Sequence, residues 1–189
     1  MTARPSPHDH PEPALRMATL DDAPAIDALM KTSTRSLFQG FYDRRQIESS
    51  VIHIAHVDPM LVEDGTYFVL QTPTGDLVAC GGWSRRDKLF SGSPEQEGRA
   101  RLLDPATEAA RVRAMFVRPD WTRRGLGTRI LEACEAAARE EGFVTLSLMA
   151  TLPGFLLYER YGFRDMGHDD ITLPDGVRVE CVRMEKPLG

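Results

Sequence analysis

Residues 109–149 constrain the fold more tightly than any other stretch. Ala109–Val117 has the character of a strand. A turn follows, and from about Gly127 to Glu141 the apolar residues Ile130, Leu131, Cys134, Ala137 and Ala138 recur at helical spacing. Glu135 and Arg139 form an i,i+4 pair on the outer side, and Gly142 stops the helix. Phe143–Met149 is apolar almost throughout, as a central strand buried on both faces would be. Two strands joined through a helix run parallel, and such a crossover requires layers of helix and sheet packed on each other. The fold class read from this unit is mixed α/β.

The turn inside this unit, Arg118-Pro-Asp-Trp-Thr-Arg-Arg-Gly-Leu-Gly-Thr128, is where chemistry is concentrated. A helix start offers unpaired N–H groups and about half a positive charge. Gly125 and Gly127 allow a tight turn and a close approach of backbone to ligand, and Arg123 and Arg124 add fixed charge. Together these suit a diphosphate. The GxxxxGK[ST] pattern of nucleotide-binding loops is absent, and a dinucleotide fingerprint would need glycine where Ile130 stands.

The rest of the chain fills in one domain over residues 14–189, after a proline-rich tail of residues 1–13 expected to be disordered. Leu15–Ala18 reads as a strand, and Thr19 caps a helix running to about Lys31. A second helical region, Ser36–His56, breaks near Gly40, carries Phe38 and Tyr42, and ends at Asp58-Pro59. Strands are expected at Thr66–Gln71 and Leu77–Ser84, joined by the turn 72–76. Residues 85–107 read as a long surface loop, Gly154–Tyr161 as a short helix, and Asp170–Leu173 with Val177–Lys186 as a hairpin around Pro174-Asp-Gly176.

Composition removes several function classes. Net charge is −5, which does not suit a nucleic-acid or anionic-membrane surface. No segment has the length and apolarity of a membrane span, and the start of the chain lacks the apolar core of a secretion signal. Cys80, Cys134 and Cys181 lack metal-ligand spacing, and free buried thiols suit a cytoplasmic protein. No metal site is expected. His8 and His10 in the tail, and His53 with His56 on a helix, read more simply as solvated or partly packed.

Two further segments join the turn in a recognisable set. Phe155-Leu-Leu-Tyr-Glu-Arg-Tyr-Gly-Phe163 places Tyr158, Gly162 and Phe163 in the register of an FYxxxGF pattern. Arg113-Ala-Met-Phe-Val-Arg-Pro119 precedes the Gly-Leu-Gly turn, and Leu15-Arg-Met-Ala-Thr-Leu-Asp-Asp22 opens the chain. From residue 15 to the C-terminus this resembles the GNAT superfamily of acetyl-CoA-dependent N-acetyltransferases. There are two departures: the Gln/Arg position of the [QR]xxGx[GA] signature is Thr122, and a common asparagine before the last helix corresponds to Thr151.

The resemblance implies a single domain with a twisted mixed sheet of about six to seven strands, flanked by about four helices, whose fourth and fifth strands splay apart. It implies acetyl-CoA as co-substrate. Arg123, Arg124, Gly125, Leu126, Gly127 and Thr128 would hold the diphosphate, Met115, Phe116 and Val117 the pantetheine through their main chain, and Thr151 and Tyr158 would also border the cofactor. The N–H of Met115 would stabilise the oxyanion and Tyr158 would protonate the leaving thiolate. Acceptor-binding candidates are Arg111, Arg113, Phe38 and Tyr42. The glutamate base of some family members corresponds to Arg111, so no base is assigned.

At pH 7 a lysine-like amine costs roughly 4–5 kcal/mol to deprotonate, an α-amine only about 1.4 kcal/mol. Arg111 and Arg113 are expected to share the strand face of Met115 and Val117, where two cations would lower an amine pKa and hold an anionic group. A small amino-acid-like amine is therefore the expected acceptor, with a homodimer as a compatible assembly. A protein N-terminus or lysine as acceptor, and a non-catalytic acyl-CoA sensor, are the alternatives.

Overall fold

A computed structural model describes residues 12–88 and 101–189. Seven strands form one sheet: β1 (Ala14–Met17), β2 (Tyr67–Gln71), β3 (Leu77–Ser84), β4 (Ala110–Val117), β5 (Thr145–Thr151), β6 (Arg164–Thr172) and β7 (Arg178–Pro187). Their order across the sheet is β1-β2-β3-β4-β5-β7-β6. Neighbours are antiparallel except β4 and β5, which run parallel as the intervening helix requires. The five helices are α1 (Ala23–Leu37), α2 (Arg44–His53), α3 (Pro59–Glu63), α4 (Leu126–Glu140) and α5 (Phe155–Tyr161).

The two sheet faces carry separate cores. On one, α4 lays Ile130, Leu131, Cys134 and Ala138 onto Val78, Val112, Leu146 and Leu148. Burying a side chain such as Ile130 or Leu131 contributes about 1.5–3 kcal/mol. On the other, Ile26, Leu29 and Met30 of α1 meet Leu61 and Val62 of α3 over Tyr67, Val69 and Cys80. A third cluster joins Phe38 and Tyr42 to Ile171, Val179 and Cys181 at the β6–β7 end.

Several expected boundaries move for identifiable reasons. The first helix continues past Lys31 to Leu37, because Ser33 and Thr34, weak helix formers, are buried against the sheet. Asp58-Pro59 ends one helical region but also opens α3: the Asp58 carboxylate accepts the Met60 N–H (3.1 Å) and Pro59 takes the first helical position. Strand β6 begins at Arg164 rather than Asp170. Its first half is polar, lies on the sheet edge and is interrupted at Asp165–Gly167, so no alternation announces it. Of the expected loop 85–107, both described flanks pair with each other, Asp87 N–H donating to Arg101 O (3.0 Å) and Leu103 N–H to Arg85 O (2.8 Å). Residues 89–100 lie outside the described residues, as do residues 1–11 of the expected tail with His8 and His10.

One irregularity shapes the sheet centre. Between Cys80/Phe116 and Gly82/Arg113 the β3–β4 register slips, and Ala114 adopts a φ of 52°. Gly81 and Gly82 face this bulge. A Cβ on Gly81 would lie 2.2 Å from the Met115 sulfur, and one on Gly82 would lie 2.4 Å from the Thr66 carbonyl oxygen and 2.9 Å from the Tyr67 Cα. The phenol of Tyr67, fully buried, donates to the Ala114 carbonyl at 2.8 Å. Gly82→Ala should therefore cost about 1–3 kcal/mol of stability, read as a lower denaturant midpoint; an unchanged midpoint would mean that the bulge tolerates a side chain there.

Candidate functional site

After Arg111, ahead of the bulge, β4 and β5 part company. Their only parallel register pairs are Ala110–Leu146 and Arg111–Ser147, although both strands continue, to Val117 and Thr151. Arg118 N–H donates to the Val78 carbonyl (2.9 Å), toward β3. Alternation along an extended chain then aims the N–H groups of Val117 and Met115 at the opposite edge, into the gap. Main-chain groups that a sheet would normally pair thus face a cleft of about 810 Å³.

The cleft runs from this gap to the start of α4. Gly125 takes the N-cap position with a φ of 76°, and no side chain caps the helix. Arg123 is also left-handed, at a φ of 63°. A Cβ on Gly125 would meet nothing within 4 Å, so glycine serves the conformation there. On Gly127 it would lie 2.7 Å from a Leu157 methyl carbon, so that glycine also lets α5 pack against α4. Met115, Phe116, Val117, Arg123, Gly125, Leu126, Gly127, Thr128, Thr151 and Tyr158 all line the cleft. Arg124 does not: its guanidinium lies 4.7 Å from the centroid of the Trp121 ring, holding the turn rather than facing the cavity.

Tyr158 sits in a shaped seat. A Cβ on Gly154 would come within 3.0 Å of its ring, and Phe163 meets it edge-on at 5.9 Å. The phenol makes no hydrogen bond among the described residues, and burial, reinforced by Cys134, pushes its pKa well above the ordinary value.

The acceptor-side expectations fare unevenly. The bulge reverses the alternation of β4, so Arg111 and Arg113 lie on the α1 face while Met115 and Val117 pack toward α4; the shared face expected from counting by two is not realised. Arg111 donates to Ser147 Oγ (2.7 Å), pairs with Asp87 (3.3 Å) and is not part of the cleft wall. Glu108, a near neighbour in sequence, pairs instead with Arg101. Arg113 does line the cleft, 5% exposed, with Asp58 at 3.1 Å. Lys88 reaches the same carboxylate at 3.1 Å. Phe38 lines the cleft, but Tyr42 does not: its hydroxyl donates to Glu180 O (2.7 Å), accepts Leu152 N–H (2.9 Å), and so ties the turn after α1 to β7 and to the turn that follows β5. Among the described residues no group of acids, histidines and cysteines is arranged to hold a metal, and His53 lies 3.7 Å from Asp175. Gly81, Gly82 and Tyr67 support the site without having been singled out; the Gly-Gly pair inside an otherwise apolar strand is the signal that marks them.

Burial opposes the charge on Asp58, yet Arg113 and Lys88 outweigh it and hold the carboxyl below its ordinary pKa of 3.8. A depressed carboxyl contributes stability above the unfolded value that is lost as pH falls through the folded one. Asp58→Asn should cost about 3–5 kcal/mol at pH 7, since it removes the carboxylate that faces both the buried Arg113 and Lys88, and the difference from wild type should shrink below about pH 4. Denaturation at the two pH values checks this.

Comparison with known proteins agrees with this architecture. The family model described as an acetyltransferase (GNAT) domain matches residues 63–165, which span β2 through the start of β6. An uncharacterised N-acetyltransferase, YitH of Bacillus subtilis, is 28% identical over 108 residues, covering 57% of this chain and 30% of that relative. A GCN5-related N-acetyltransferase structure from Rhodopseudomonas palustris superposes with a TM-score of 0.71 at 20% identity, over 95% of this chain and 98% of the other. An N-acetyltransferase from Thermoplasma acidophilum, solved in complex with coenzyme A, gives 0.63 at 14% identity, over 92% and 98%. Among the described residues no helix is long and apolar enough to cross a membrane. With the sheet order, the parted central strands and the matched domain all in agreement, this chain belongs to the GNAT family of acetyltransferases.

Proposed function

We propose that this enzyme transfers an acetyl group from acetyl-CoA to the primary amine of a small, amino-acid-like acceptor. The observation carrying this reading is a single cleft in which an uncapped helix N-terminus continues into two facing, parted strand edges. A diphosphate suits the first, with Arg123, Gly125, Leu126, Gly127 and Thr128 around it. An arm bearing amides, such as pantetheine, suits the second, pairing with the main chain of Met115, Phe116 and Val117 as an added strand and passing Thr151. Arg124 is assigned to the support of Trp121 and not to the ligand.

Acetyl-CoA bound in this way would supply the acyl group. The Met115 N–H, aimed into the gap, donates to the carbonyl oxygen as negative charge develops there. The amine nitrogen bonds to the acyl carbon, the C–S bond breaks, and the amine proton passes to solvent. Tyr158 gives its phenolic proton to the departing sulfur and regains one from solvent. On the acceptor side, Arg113 and Lys88 share one carboxylate, which leaves that end of the cleft with net positive charge and suits an acceptor bearing an anionic group. Arg111 and Tyr42, committed to Ser147 and to Glu180 with Leu152, are left out of acceptor binding.

Two measurements test this. Calorimetric titration should give acetyl-CoA binding to wild type and none to Gly125→Glu, which places bulk, negative charge and a strained φ at the helix start; equal affinity would remove the phosphate site. Tyr158→Phe should lower kcat roughly 10²–10³-fold with little change in acetyl-CoA affinity. Unchanged turnover would assign the proton to water or to another group.

A further inference from the structure

The wall of the cleft away from α4 differs in kind from the cofactor side. It is built by Leu37 of α1, Phe38 and Phe41 of the following turn, Ile54 after α2, Met149 of β5 and Ile171 of β6. Phe41, at 53% exposure, stands at the mouth; Phe38, at 5%, lies deep. Nothing on this wall offers a negative charge. Among the described residues lining the entire cleft, the charged ones are Arg113, Arg123 and Arg160, with no aspartate or glutamate. The nearest acid to the Arg113 end, Asp58, stands behind it and already serves two cations.

Three consequences follow from this chemistry. A polyamine, an aminosugar with several ammonium groups or a lysine side chain would bring positive charge into a cleft whose charged lining, among the described residues, is Arg113, Arg123 and Arg160. With no carboxylate to take the amine proton, an amine that loses it readily is favoured over one that does not, and the nearby cations depress the amine pKa further. The body of the acceptor meets apolar carbon, so a side chain able to bury there binds better than a polar one.

Resting on the acetyl-transfer reading above, we infer that the acceptor is an apolar α-amino acid or a close analogue. Its ring or branched chain lies on Phe38, Phe41 and Ile54, its carboxylate turns toward Arg113, and its α-amine faces the β4–β5 gap. Phe38 and Phe41 act as the residues that select for an apolar body.

The test measures thiol release from acetyl-CoA with phenylalanine, leucine, serine, lysine, spermidine and phenylalanine amide. Phenylalanine and leucine should exceed serine, lysine and spermidine in kcat/KM by about tenfold or more, the scale of discrimination available from a few methylenes in an apolar pocket. The amide should fall at least about tenfold below phenylalanine through loss of the carboxylate. Phe41→Ala, at an exposed position, should reduce kcat/KM for phenylalanine about tenfold while leaving acetyl-CoA affinity unchanged. Turnover of serine, lysine or spermidine equal to or above that of phenylalanine overturns the inference while leaving acetyl transfer intact. Acetyl-CoA binding with no turnover of any panel member overturns it as well, and failure of the protein to bind acetyl-CoA overturns the acetyl-transfer reading with it.

Discussion

The hydrogen bond from the buried Tyr67 phenol to the Ala114 carbonyl is the contact on which the centre of this molecule turns. A residue with a φ of 52° is disfavoured for alanine, and the distortion persists only because its surroundings hold it. Tyr67 does so from β2, across β3, and its seat depends on Gly82 having no side chain, since a Cβ there would lie 2.7 Å from the Tyr67 ring. The ladder between β4 and β5 ends at Arg111, and the bulge at Ala114 follows within the stretch of β4 that lies free of β5, held by a phenol two strands away.

That arrangement explains why one half of the site was legible in the sequence and the other was not. The turn at Arg118–Thr128 advertises itself locally: glycines, arginines and the start of a helical period lie within eleven consecutive residues. The parted strands and the adjoining bulge rest on contacts among residues far apart in sequence, Tyr67 with Ala114, Gly82 with Tyr67 and Gly81 with Met115, that no local pattern joins. Counting by two along β4 then failed at the bulge itself, placing Arg111 and Arg113 on the face of Met115. Tyr42 failed for a related reason. An aromatic residue near an expected acceptor site looks the same in sequence whether its hydroxyl faces a ligand or, as here, bridges two strands. The elements missed, α3 and the first half of β6, are short or edge-exposed, where periodicity carries least information.

The glycines of the turn before α4 also divide their labour differently from what their spacing suggests. Gly125 has open space beyond its absent Cβ and is required by its left-handed backbone. Gly127 is ordinary helical backbone, but a Cβ there would press into Leu157. One glycine thus shapes the turn at the start of α4 and the other sets the distance between α4 and α5. Since α5 carries Tyr158, Gly127 couples the position of that phenol to that of the helix start.

The absence of carboxylates among the described cleft residues bears on catalysis as well as on specificity. An enzyme without a base at the acceptor nitrogen can still work if the amine arrives with a low proton affinity and the site keeps it low. Arg113 is suited to this. Asp58 prevents its burial from being prohibitive without cancelling the positive field, because Lys88 draws on the same carboxylate. Burial pulls the guanidinium pKa down and Asp58 pulls it up, and the cation is retained. The ion cluster at residues 58, 88 and 113 thus joins stability to chemistry: Asp58 caps α3, α3 packs on Tyr67, and Tyr67 holds the bulge that places the Met115 N–H in the gap. A change at Asp58 should propagate to the Met115 main chain as well as to the Arg113 end of the cleft, although Asp58 itself does not line it.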